Sequence, residues 1–557
     1  MALAEIRPLR LPRVPLLAVA VLVLVAIGAG AWVLASGGSA TPTDPLGAPR
    51  FIDETASSGV EQTYDGDSRF NVGGGVATLD CDGDALPDLY IAGGSNPAAL
   101  YRNASDVGGA LRFERMGDPA TDLADVTGAY PLDIDGDGLT DLAVLRVGEN
   151  VLLRGLGDCR FERANERWGF DGGDARTMAF SATWEGDAPL PTLAIGDYIA
   201  LTELGTPLPP CPDNTLLRPG PDGTTYGPPI ALSPGYCPLS MLFSDWDRSG
   251  RPDLRISNDR QYYTDGEEQL WAMEPGADPV AYTDADGWAR LQIWGMGIAS
   301  HDLTGDGYPE LYLTSQGDNK LQTLTAGPAE PAYRDIAFRS GVHAPVPFTG
   351  GDPGASTAWH PEFVDVNADG FMDLYVTKGN VSDQVGYAMR DPSELFLGTP
   401  DGTFRQATEE AGLVRFDRGR GASLADLNLD GLSDLVEVYL GAPVGVWRNV
   451  GSGTAQTPAP MGHWLALRLE EDGPNRDAVG AWIEVRIGDT TIQHEVTVGG
   501  GHLSGESGWI HVGIGPSQRA GVRVTWPDGT VGPWQEVPAG TLAVIERDAA
   551  APRTVVP

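Results

Sequence analysis

Short apolar segments with a period of two recur along the chain and flank acidic stretches. Apolar residues precede the stretches, as in Val76–Leu79. Alternation with period two is typical of β-strands, so each acidic stretch is predicted to join two strands of a hairpin. After five of the stretches the sequence reads Leu, any residue and an aliphatic residue, at Leu89–Ile91, Leu142–Val144, Leu254–Ile256, Leu311–Leu313 and Leu374–Val376.

The acidic stretches share a nine-residue pattern, with acids at positions 1 and 9 and polar residues at positions 3 and 5. Successive copies start about 53 to 63 residues apart, except for one gap of 112. A degraded copy at Thr183–Pro191, which keeps Glu185 and Asp187, fills that gap. Seven repeats are therefore predicted. The six intact copies are Asp80–Asp88, Asp133–Asp141, Asp245–Asp253, Asp302–Glu310, Asp365–Asp373 and Asp426–Asp434.

Two further strand-like segments follow in each repeat. One resembles Leu100–Asn103 and Val446–Asn449, and the other begins with an aromatic residue, as at Phe113–Arg115. Four strands per repeat are typical of β-propeller blades, and ring closure removes exposed sheet edges. We expect an all-β fold with a seven-bladed β-propeller over residues 51–455. An extra aromatic-led copy at residues 51–60 is expected to pair with the last blade and close the ring.

The acidic loops carry the ligand chemistry of calcium. Ca²⁺ takes six to eight oxygen ligands, and side chains at positions 1, 3, 5 and 9 with the position-7 carbonyl can supply them. Six loops predict about six Ca²⁺ ions. The predicted ligands are Asp80, Asp82, Asp84, Leu86, Asp88, Asp133, Asp135, Asp137, Leu139, Asp141, Asp245, Asp247, Ser249, Arg251, Asp253, Asp302, Thr304, Asp306, Tyr308, Glu310, Asp365, Asn367, Asp369, Phe371, Asp373, Asp426, Asn428, Asp430, Leu432 and Asp434.

Helix-flanked EF-hand loops begin with a similar pattern but need Glu at position 12. Only Glu437 meets that requirement, and the other five copies have an aliphatic residue there. The calcium loops are therefore predicted to lie within β-hairpins. Gly at position 6 permits a sharp turn, and it occurs in every intact loop except the first, which has Ala85.

The N-terminus reads as an export signal. Residues 1–14 form a basic tail with Arg7, Arg10 and Arg13, and residues 15–35 carry no charge. That length can span a bilayer, and the basic flank predicts a cytoplasmic N-terminus. A single-pass transmembrane signal anchor is expected, with the bulk of the chain periplasmic or extracellular. The alternative is a cleaved signal peptide and secretion. Residues 36–50 read as a flexible linker.

Four cysteines suit an exported chain, because disulfides persist in oxidising compartments. They are Cys81, Cys159, Cys211 and Cys237. Cys211 and Cys237 bracket an insertion rich in Pro and Gly, so we expect them to pair and to leave Cys81 with Cys159. Other pairings remain open from sequence alone. The sequence has no Cys-x-x-Cys or Cys/His cluster, which disfavours zinc.

Charge narrows the class of partner. The chain has 557 residues, with 77 acidic and 37 basic side chains and a formal net charge of −40. Binding of nucleic acid needs Lys and Arg patches, so nucleic acid is excluded as a partner. Abundant Gly (74) and Pro (44) residues agree with a fold of short strands and turns.

The loops followed by Leu-x-aliphatic strands resemble the FG-GAP/VCBS repeats of integrin α-subunit propellers. The resemblance covers residues 51–455. It implies that the loops bind Ca²⁺ and brace the blades, while ligands bind the opposite face. The degraded third copy puts an ion in that blade in doubt.

Four signatures follow one another in the C-terminal part, at Asn475–Ala481, Gly499–Ser504, His511–Gly515 and Trp526–Gly529. In this order they resemble the ASPIC/UnbV domain, predicted as a small β-sandwich-like domain over residues 456–550 with a tail at 551–557. The combination of domains resembles the cartilage acidic protein family and its bacterial relatives.

These features favour a membrane-anchored, calcium-binding interaction or adhesion module that is not an enzyme. A protein or glycan partner would bind the propeller face or the C-terminal domain. The alternative is an accessory structural subunit of a membrane protein complex, with the N-terminal helix docking laterally. A carbohydrate-active enzyme is a weaker alternative, because the seven His residues show no metal-protease spacing and no nucleophile motif occurs.

Overall fold

The computed structural model describes residues 40–203 and 208–556. The predicted basic tail at 1–14 and the apolar segment at 15–35 lie outside these residues. Among the helices of the described part, none combines the length and apolar character that crossing a membrane requires. The fold is all-β, as predicted.

Seven four-stranded sheets follow one another along the described chain. Strand β1 spans Phe51–Asp53. Blade 1 contains β2 Val76–Leu79, β3 Asp88–Ile91, β4 Ala99–Asn103 and β5 Phe113–Arg115. Blade 2 contains β6 Val126–Leu132, β7 Asp141–Arg146, β8 Val151–Gly155 and β9 Phe161–Arg163. Blade 3 contains β10 Ala175–Thr183, β11 Thr192–Ala200, β12 Asn214–Leu217 and β13 Ile230–Leu232.

The remaining four blades repeat this order. Blade 4 contains β14 Pro238–Ser244, β15 Asp253–Asn258, β16 Gln269–Ala272 and β17 Val280–Ala281. Blade 5 contains β18 Gly295–His301, β19 Glu310–Ser315, β20 Lys320–Leu324 and β21 Tyr333–Asp335. Blade 6 contains β22 Ala358–Val364, β23 Asp373–Lys378, β24 Glu394–Gly398 and β25 Phe404–Gln406. Blade 7 contains β26 Arg418–Ala425, β27 Asp434–Leu440 and β28 Gly445–Asn449, completed by β1.

Strand β1 closes the ring, as the sequence predicts. It pairs antiparallel with β28, and Phe51 lies opposite Asn449. The first strands of blades 1 and 7 lie side by side, and a buried hydrogen bond of 2.5 Å joins the hydroxyls of Thr78 and Ser423. The sheets thus form a closed β-propeller. The degraded repeat joins β10 and β11 of blade 3.

Neighbouring blades bury both faces of the inner strands. All four residues of β3 and all seven of β6 are buried. Strands covered on both faces need no polar alternation, which explains why their sequences are almost continuously apolar or small. Helical turns are short. They are α1 Asn165–Trp168, α2 Gln261–Thr264, α3 Ala337–Ser340 and α4 Thr408–Ala411, with 3₁₀ turns at Leu201–Glu203, Asp284–Asp286 and Gly327–Ala329.

Recurring asparagines after the third strands fasten neighbouring blades. The side-chain amide of Asn103 donates to the carbonyls of Pro87 in its own blade and Leu427 in blade 7. Asn449 donates likewise to Ser433 and to Val366 of blade 6. The Leu-Tyr-Arg-Asn and Val-Trp-Arg-Asn segments therefore carry an inter-blade link.

Two disulfides join the predicted pairs. Cys81–Cys159 links the loop of blade 1 to blade 2, and Cys211–Cys237 closes the insertion in blade 3. Both expected pairings are confirmed, because each pair lies on adjacent segments with Cα atoms 4.6 and 4.9 Å apart.

A two-sheet sandwich follows the propeller and has its own apolar core, which includes Leu467, Ile483, Val522 and Ile545. One sheet contains β29 His463–Glu470, β32 Ile510–Gly515, β35 Thr541–Glu546 and β36 Arg553–Val555. The other contains β30 Trp482–Ile487, β31 Thr490–Glu495, β33 Arg519–Thr525 and β34 Gln535–Pro538.

Two predicted boundaries differ from the structure. Residues 551–557 are not merely a tail, because β36 lies within them and pairs with β35. Residues 40–50 of the predicted flexible linker are bound to both domains. The N–H of Leu46 donates to Asp369 in blade 6, and Thr41 accepts the N–H of Asp489 in the sandwich. Side-chain acceptors that capture these backbone groups explain the order of the segment.

Candidate metal loops and the domain interface

All six intact loops fold around the acid at position 1. Its carboxylate accepts the N–H of position 6, as Asp365 does from Gly370 at 2.8 Å and Asp426 from Gly431 at 2.7 Å. Position 6 has a φ between 74° and 94° in every loop, which Gly adopts without strain. Ala85 adopts the same conformation in the first loop, with a φ of 74°.

The acid at position 9 fastens the loop to the third strand of its blade. In blade 6, Asp373 accepts the N–H of Val366 in the loop and of Gly398 at the end of β24. Asp434 bonds in the same way to Leu427 and Asn449 in blade 7. Asp88 and Asp141 repeat the arrangement in blades 1 and 2. This brace was not evident from the sequence, because the third strand lies more than ten residues away.

The side chain at position 5 of the loop holds the backbone of position 7. The N–H of position 7 donates to the position-5 carboxylate in five loops, at Leu86, Leu139, Tyr308, Phe371 and Leu432. In blade 4 the corresponding residues are Ser249 and Arg251, and the described contacts include no such bond. Five loops thus share a single backbone geometry around the predicted donors.

Carboxylates converge most tightly in blades 1 and 2. Oxygens of Asp80, Asp82 and Asp88 lie within 4.8 Å of one another, and so do those of the corresponding acids Asp133, Asp135 and Asp141 in blade 2. Cys81 and Cys159 also lie near Asp88, but their disulfide removes them as ligands. Oxygen donors in this number and proximity fit calcium.

Burial makes these carboxylates costly to ionise without a cation. Burial, with repulsion from neighbouring acids, raises the pKa of Asp88 and of Asp141 to about 8. The same two causes raise the pKa of Asp426 to about 8 and that of Asp373 well above its ordinary value. Hydrogen bonds from backbone N–H groups oppose the shift in each case. A bound divalent cation would supply the missing positive charge.

The loops of blades 4 and 5 depart from this arrangement. Asp253 accepts hydrogen bonds from Trp246, Tyr282 and the N–H of Met273, one donor more than Asp373 accepts in blade 6. Glu310 accepts from the N–H groups of Leu303 and Thr304 and from the Thr323 hydroxyl. These two loops offer fewer free donors.

In two other blades an arginine side chain, rather than a metal ion, supplies positive charge to the loop acids. In the degraded loop of blade 3, Arg218 Nε donates to Glu185 at 2.7 Å, and both side chains are largely buried. In blade 2, Arg154 donates to Asp135 at 2.7 Å and also contacts Asp137. Calcium in blade 2 would have to displace Arg154, whereas blade 3 has a built-in positive charge.

The C-terminal sandwich covers the face of the propeller that carries the loops. Trp509 donates to the carbonyl of Ala85 in blade 1, and His511 Nε2 lies 2.9 Å from the carbonyl of Gly431 in blade 7. Gln493 donates to Asp302 in blade 5. The sequence identified both parts but not this contact between them.

A segment of the sandwich, residues 498–506, enters the central channel and contacts the innermost strands. We call it the channel plug. Its backbone forms isolated β-bridges with one residue from each of blades 1 to 5, namely Thr78, Ala129, Ala182, Leu242 and Ile298. The plug also bonds to blades 6 and 7, through His360 and Ser423. One segment therefore touches all seven blades, and the Gly-Gly-x-x-Leu-Ser signature lies within it.

Small residues permit this close approach. A Cβ atom on Gly75 of blade 1 would lie 1.8 Å from the carbonyl oxygen of Leu503 in the plug. A Cβ atom on Gly421 of blade 7 would lie 2.3 Å from the Ser504 hydroxyl. These glycines are required by packing against the plug, a reason that no local sequence pattern reveals.

Two parts of the chain match family models. Residues 80–144 match the FG-GAP-like repeat, and residues 471–552 match ASPIC and UnbV. Both matches agree with the resemblances drawn from the loops and from the C-terminal signatures. No curated protein matches the chain. The resemblance to the cartilage acidic protein family stays a prediction.

Solved structures similar to this chain are distant in sequence. One is the Agrocybe aegerita lectin described as recognising non-reducing terminal N-acetylglucosamine, with 16% identity, a TM-score of 0.37, and coverage of 65% of this chain and 88% of that one. Another is BBS1N in complex with ARL6DN, with 10% identity, a TM-score of 0.40, and coverage of 75% and 100%. The chain is thus similar to FG-GAP-like repeats in its first blades and to ASPIC and UnbV domains in its sandwich.

Proposed function

We propose that this protein is an exported, non-catalytic interaction module that calcium stabilises and that binds a protein at the propeller face opposite its loops. We call that surface the partner face. The observation that carries the proposal is the position of the sandwich. Because it covers the loop face and plugs the channel, the partner face is the broad propeller surface left for another molecule.

Strand order defines the partner face. In each antiparallel blade, the loop from first to second strand and the turn from third to fourth strand share one end. The connections from second to third strand, and from blade to blade, lie at the other end. For blades 5 to 7 these connections run through residues 336–357, 379–393 and 407–417.

Large apolar side chains are exposed on these connections. Val385 is 93% exposed and Phe338 is 85% exposed. Single exposed apolar residues are ordinary, but clusters on one surface mark interaction sites. Aliphatic and aromatic side chains of this kind favour a protein partner over a polar glycan. The exposed set on these blades is Phe338, Val346, Val385, Met389, Val414 and Phe416.

Several of these side chains are close together. Phe416 and Val414 line one surface cavity with Phe348, and the Arg390 guanidinium lies 3.9 Å from the centre of the Phe416 ring. An Arg beside aromatic and aliphatic groups is a common composition for an interface centre. This cluster supports the partner face as the binding surface.

Calcium would be held by the loop donors. Blades 1, 6 and 7 offer acid or amide oxygens at positions 1, 3, 5 and 9 and no competing arginine, and blade 2 offers the same set beside Arg154. Bound calcium would neutralise buried carboxylates and brace each blade. Two disulfides in the described chain support an oxidising compartment and hence export.

Site-specific photo-crosslinking tests the partner face. A photoreactive residue at Val385 should capture one protein from the surface of intact cells, and the purified partner should bind the purified chain directly. The matched control is the same group at Val531, which is also exposed but lies on the sandwich. Phe416→Asp should reduce binding of the purified partner at least tenfold. Equal capture from Val531, or unchanged binding by the variant, would contradict the proposal.

Calcium is tested separately. Thermal melts of the purified chain should shift upward when calcium is restored after EDTA treatment, because ligand binding stabilises the folded state. Magnesium at the same concentration is the control ion. Identical melts with and without calcium would remove the calcium part of the proposal and leave the partner face untouched.

A further inference from the structure

A chamber of about 300 Å³ lies between the propeller and the sandwich, beside the channel plug. Strands β6, β18 and β22 form one side, and residues 494–511 of the sandwich form the other. Pockets of this size at domain interfaces commonly hold small molecules. Four residues of the metal loops, Pro87, Met372, Asp426 and Leu429, are part of its lining. The partner face does not account for this space.

Two acidic side chains face the chamber without a basic partner. Glu362 comes from β22, and Glu506 from the end of the plug. Glu506 has a large accessible surface and is part of the chamber lining. Their hydrogen bonds come from uncharged groups. Glu362 accepts the N–H of Leu424 and lies 3.3 Å from His360 Nε2, and Glu506 accepts the Ser423 hydroxyl. In the described chain, neither acid forms an ion pair with Lys or Arg.

Further acceptors in the lining also lack partners. His511 Nε2 faces the carbonyl of Gly431 and must donate, so Nδ1 of the neutral ring is an acceptor, and this buried atom has no hydrogen-bond partner. The buried hydroxyls of Ser300 and Ser507 are likewise without partners. Tyr130 and Phe363 add aromatic surface to the walls.

The other charged and titratable groups around the chamber do not balance the two acids. Arg468 lies at the edge of the lining, and Glu470 accepts its guanidinium at 2.9 Å. Asp477 and Asp426 are also part of the lining and add acid. Burial lowers the pKa of His360 and of His494 to about 4, so both rings are neutral at pH 7. His301 is also in the lining and packs against His494, with ring centres 6.1 Å apart.

We propose that this chamber binds a small organic cation with one or two protonated amines. An ammonium group supplies the positive charge that Glu362 and Glu506 lack, and its N–H groups can donate to their carboxylate oxygens. Its carbon chain suits the apolar walls, and Phe363 can add a cation–π contact. Neither acid offers a positive charge to an anion.

A metal ion fits the chamber less well. In the described residues, groups of three acid, His or Cys ligands within 4.8 Å occur in the loops of blades 1 and 2 and not in the chamber. A single ion would also leave the aromatic and aliphatic walls unmatched. An organic cation uses both the acids and the walls.

Binding should release protons. Burial raises the pKa of Glu362 to about 8, and burial with repulsion from Glu362 raises the pKa of Glu506 to about 8, so both are largely protonated at pH 7. A bound cation favours their ionised forms. Proton release therefore distinguishes a cation from an uncharged ligand.

The test uses the full chain with calcium present and putrescine as the probe. Titration calorimetry in two buffers of different ionisation enthalpy should show binding with net proton release at pH 7. The control ligand is 1,4-butanediol, which has the same carbon chain without charge and should not bind. Equal binding of the diol, or no binding of putrescine, would overturn the proposal.

Variants assign the binding to the chamber. Replacing both acids, Glu362→Gln with Glu506→Gln, should weaken putrescine binding at least tenfold and abolish proton release. Glu166→Gln, on the exposed surface of α1, is the matched control and should change neither. Ser507→Phe should block binding by filling space while both acids stay in place, which covers the case in which the double variant misfolds. Unchanged binding in a folded variant of either kind would refute this location. Partner capture through Val385 does not depend on these results.

Discussion

The backbone N–H of His502, in the channel plug, donates to Nδ1 of His360 on the innermost strand of blade 6 at 3.0 Å. The two residues are 142 positions apart in sequence. The His502 ring also lies 2.9 Å from the carbonyl of Val72 and 3.3 Å from that of Leu239. The backbone and the ring of one sandwich residue thus contact three segments of the propeller.

We expect His502→Ala to destabilise the protein by about 2–4 kcal/mol, because it leaves a cavity and unpaired buried carbonyls. Chemical denaturation measures the free energy of unfolding. His463→Ala, at an exposed position of β29, is the control and should change it little. A similar small change in both variants would show that the plug does not stabilise the ring.

Gly75→Ala should loosen the contact between plug and propeller. The added Cβ would lie 1.8 Å from the Leu503 carbonyl oxygen, and overpacking costs about 1–3 kcal/mol. Limited proteolysis should cut between the propeller and the sandwich faster in this variant. Gly351→Ala is the control, because nothing lies within 4 Å of its Cβ position. Identical digestion of both variants would argue against a close plug contact.

Asp373→Asn should destabilise blade 6 even without calcium. Each Asp373 oxygen accepts a backbone N–H, and the amide of Asn would place a donor against one of them. An unsatisfied buried donor costs about 1–3 kcal/mol. Denaturation in EDTA measures this brace alone, and the exposed Asp472→Asn is the control. If the loss appears only with calcium present, the acid acts as a ligand and not as a brace.

Calcium-free protein should lose stability as the pH rises from about 4 to 8. The folded-state pKa of Asp88, Asp141 and Asp426 lies above the unfolded value, so folding favours their protonated forms. That contribution is fully present below the unfolded pKa and is lost as the pH passes the folded pKa near 8. Calcium should flatten the dependence by holding the ionised forms. Thermal melts at pH 5, 6.5 and 8 in EDTA and in calcium measure it, and parallel curves would contradict the expectation.

Arg218→Met should destabilise blade 3, because it removes the cation beside the largely buried Glu185. Breaking one partner of a buried pair costs up to about 3–5 kcal/mol, and partial exposure of this pair reduces the loss. Chemical denaturation measures it. Arg69→Met, which breaks an exposed pair with Asp67, is the control. Adding Glu185→Leu should restore much of the stability, and failure to do so would show that the pair has another role.

Local patterns predicted most of the fold. The period-two segments and the nine-residue spacing predicted the hairpins, the seven repeats and closure by the segment at Phe51, because each follows from contacts within one blade or between the chain ends. The order of residues 40–50 was missed. Their backbone is held by Asp369 and by the sandwich, which are distant in sequence.

The sequence predicted the acids of the metal loops but not the side chains that pair with them. The sequence placed acids at positions 1 and 9 of each loop, since a tight turn brings them together wherever it occurs. It did not reveal that Arg154 neutralises one loop, or that Trp246 and Tyr282 occupy Asp253 in another. Arg154 and Tyr282 come from the third and fourth strand regions of their blades, whereas Trp246 lies in the loop itself, and the effect of all three depends on side-chain direction.

The sequence by itself determined the repeat and the acidic loops and favoured the two disulfide pairs, because these depend on local spacing and on pairs of segments that the repeat brings together. Only the tertiary structure decided how the two domains combine. The docking of the sandwich on the loop face placed Glu506 beside Glu362 and Leu503 against Gly75. Such contacts join the repeating surface of the propeller to a sandwich that does not share its repeat. Their chemistry therefore follows from shape and burial rather than from sequence pattern.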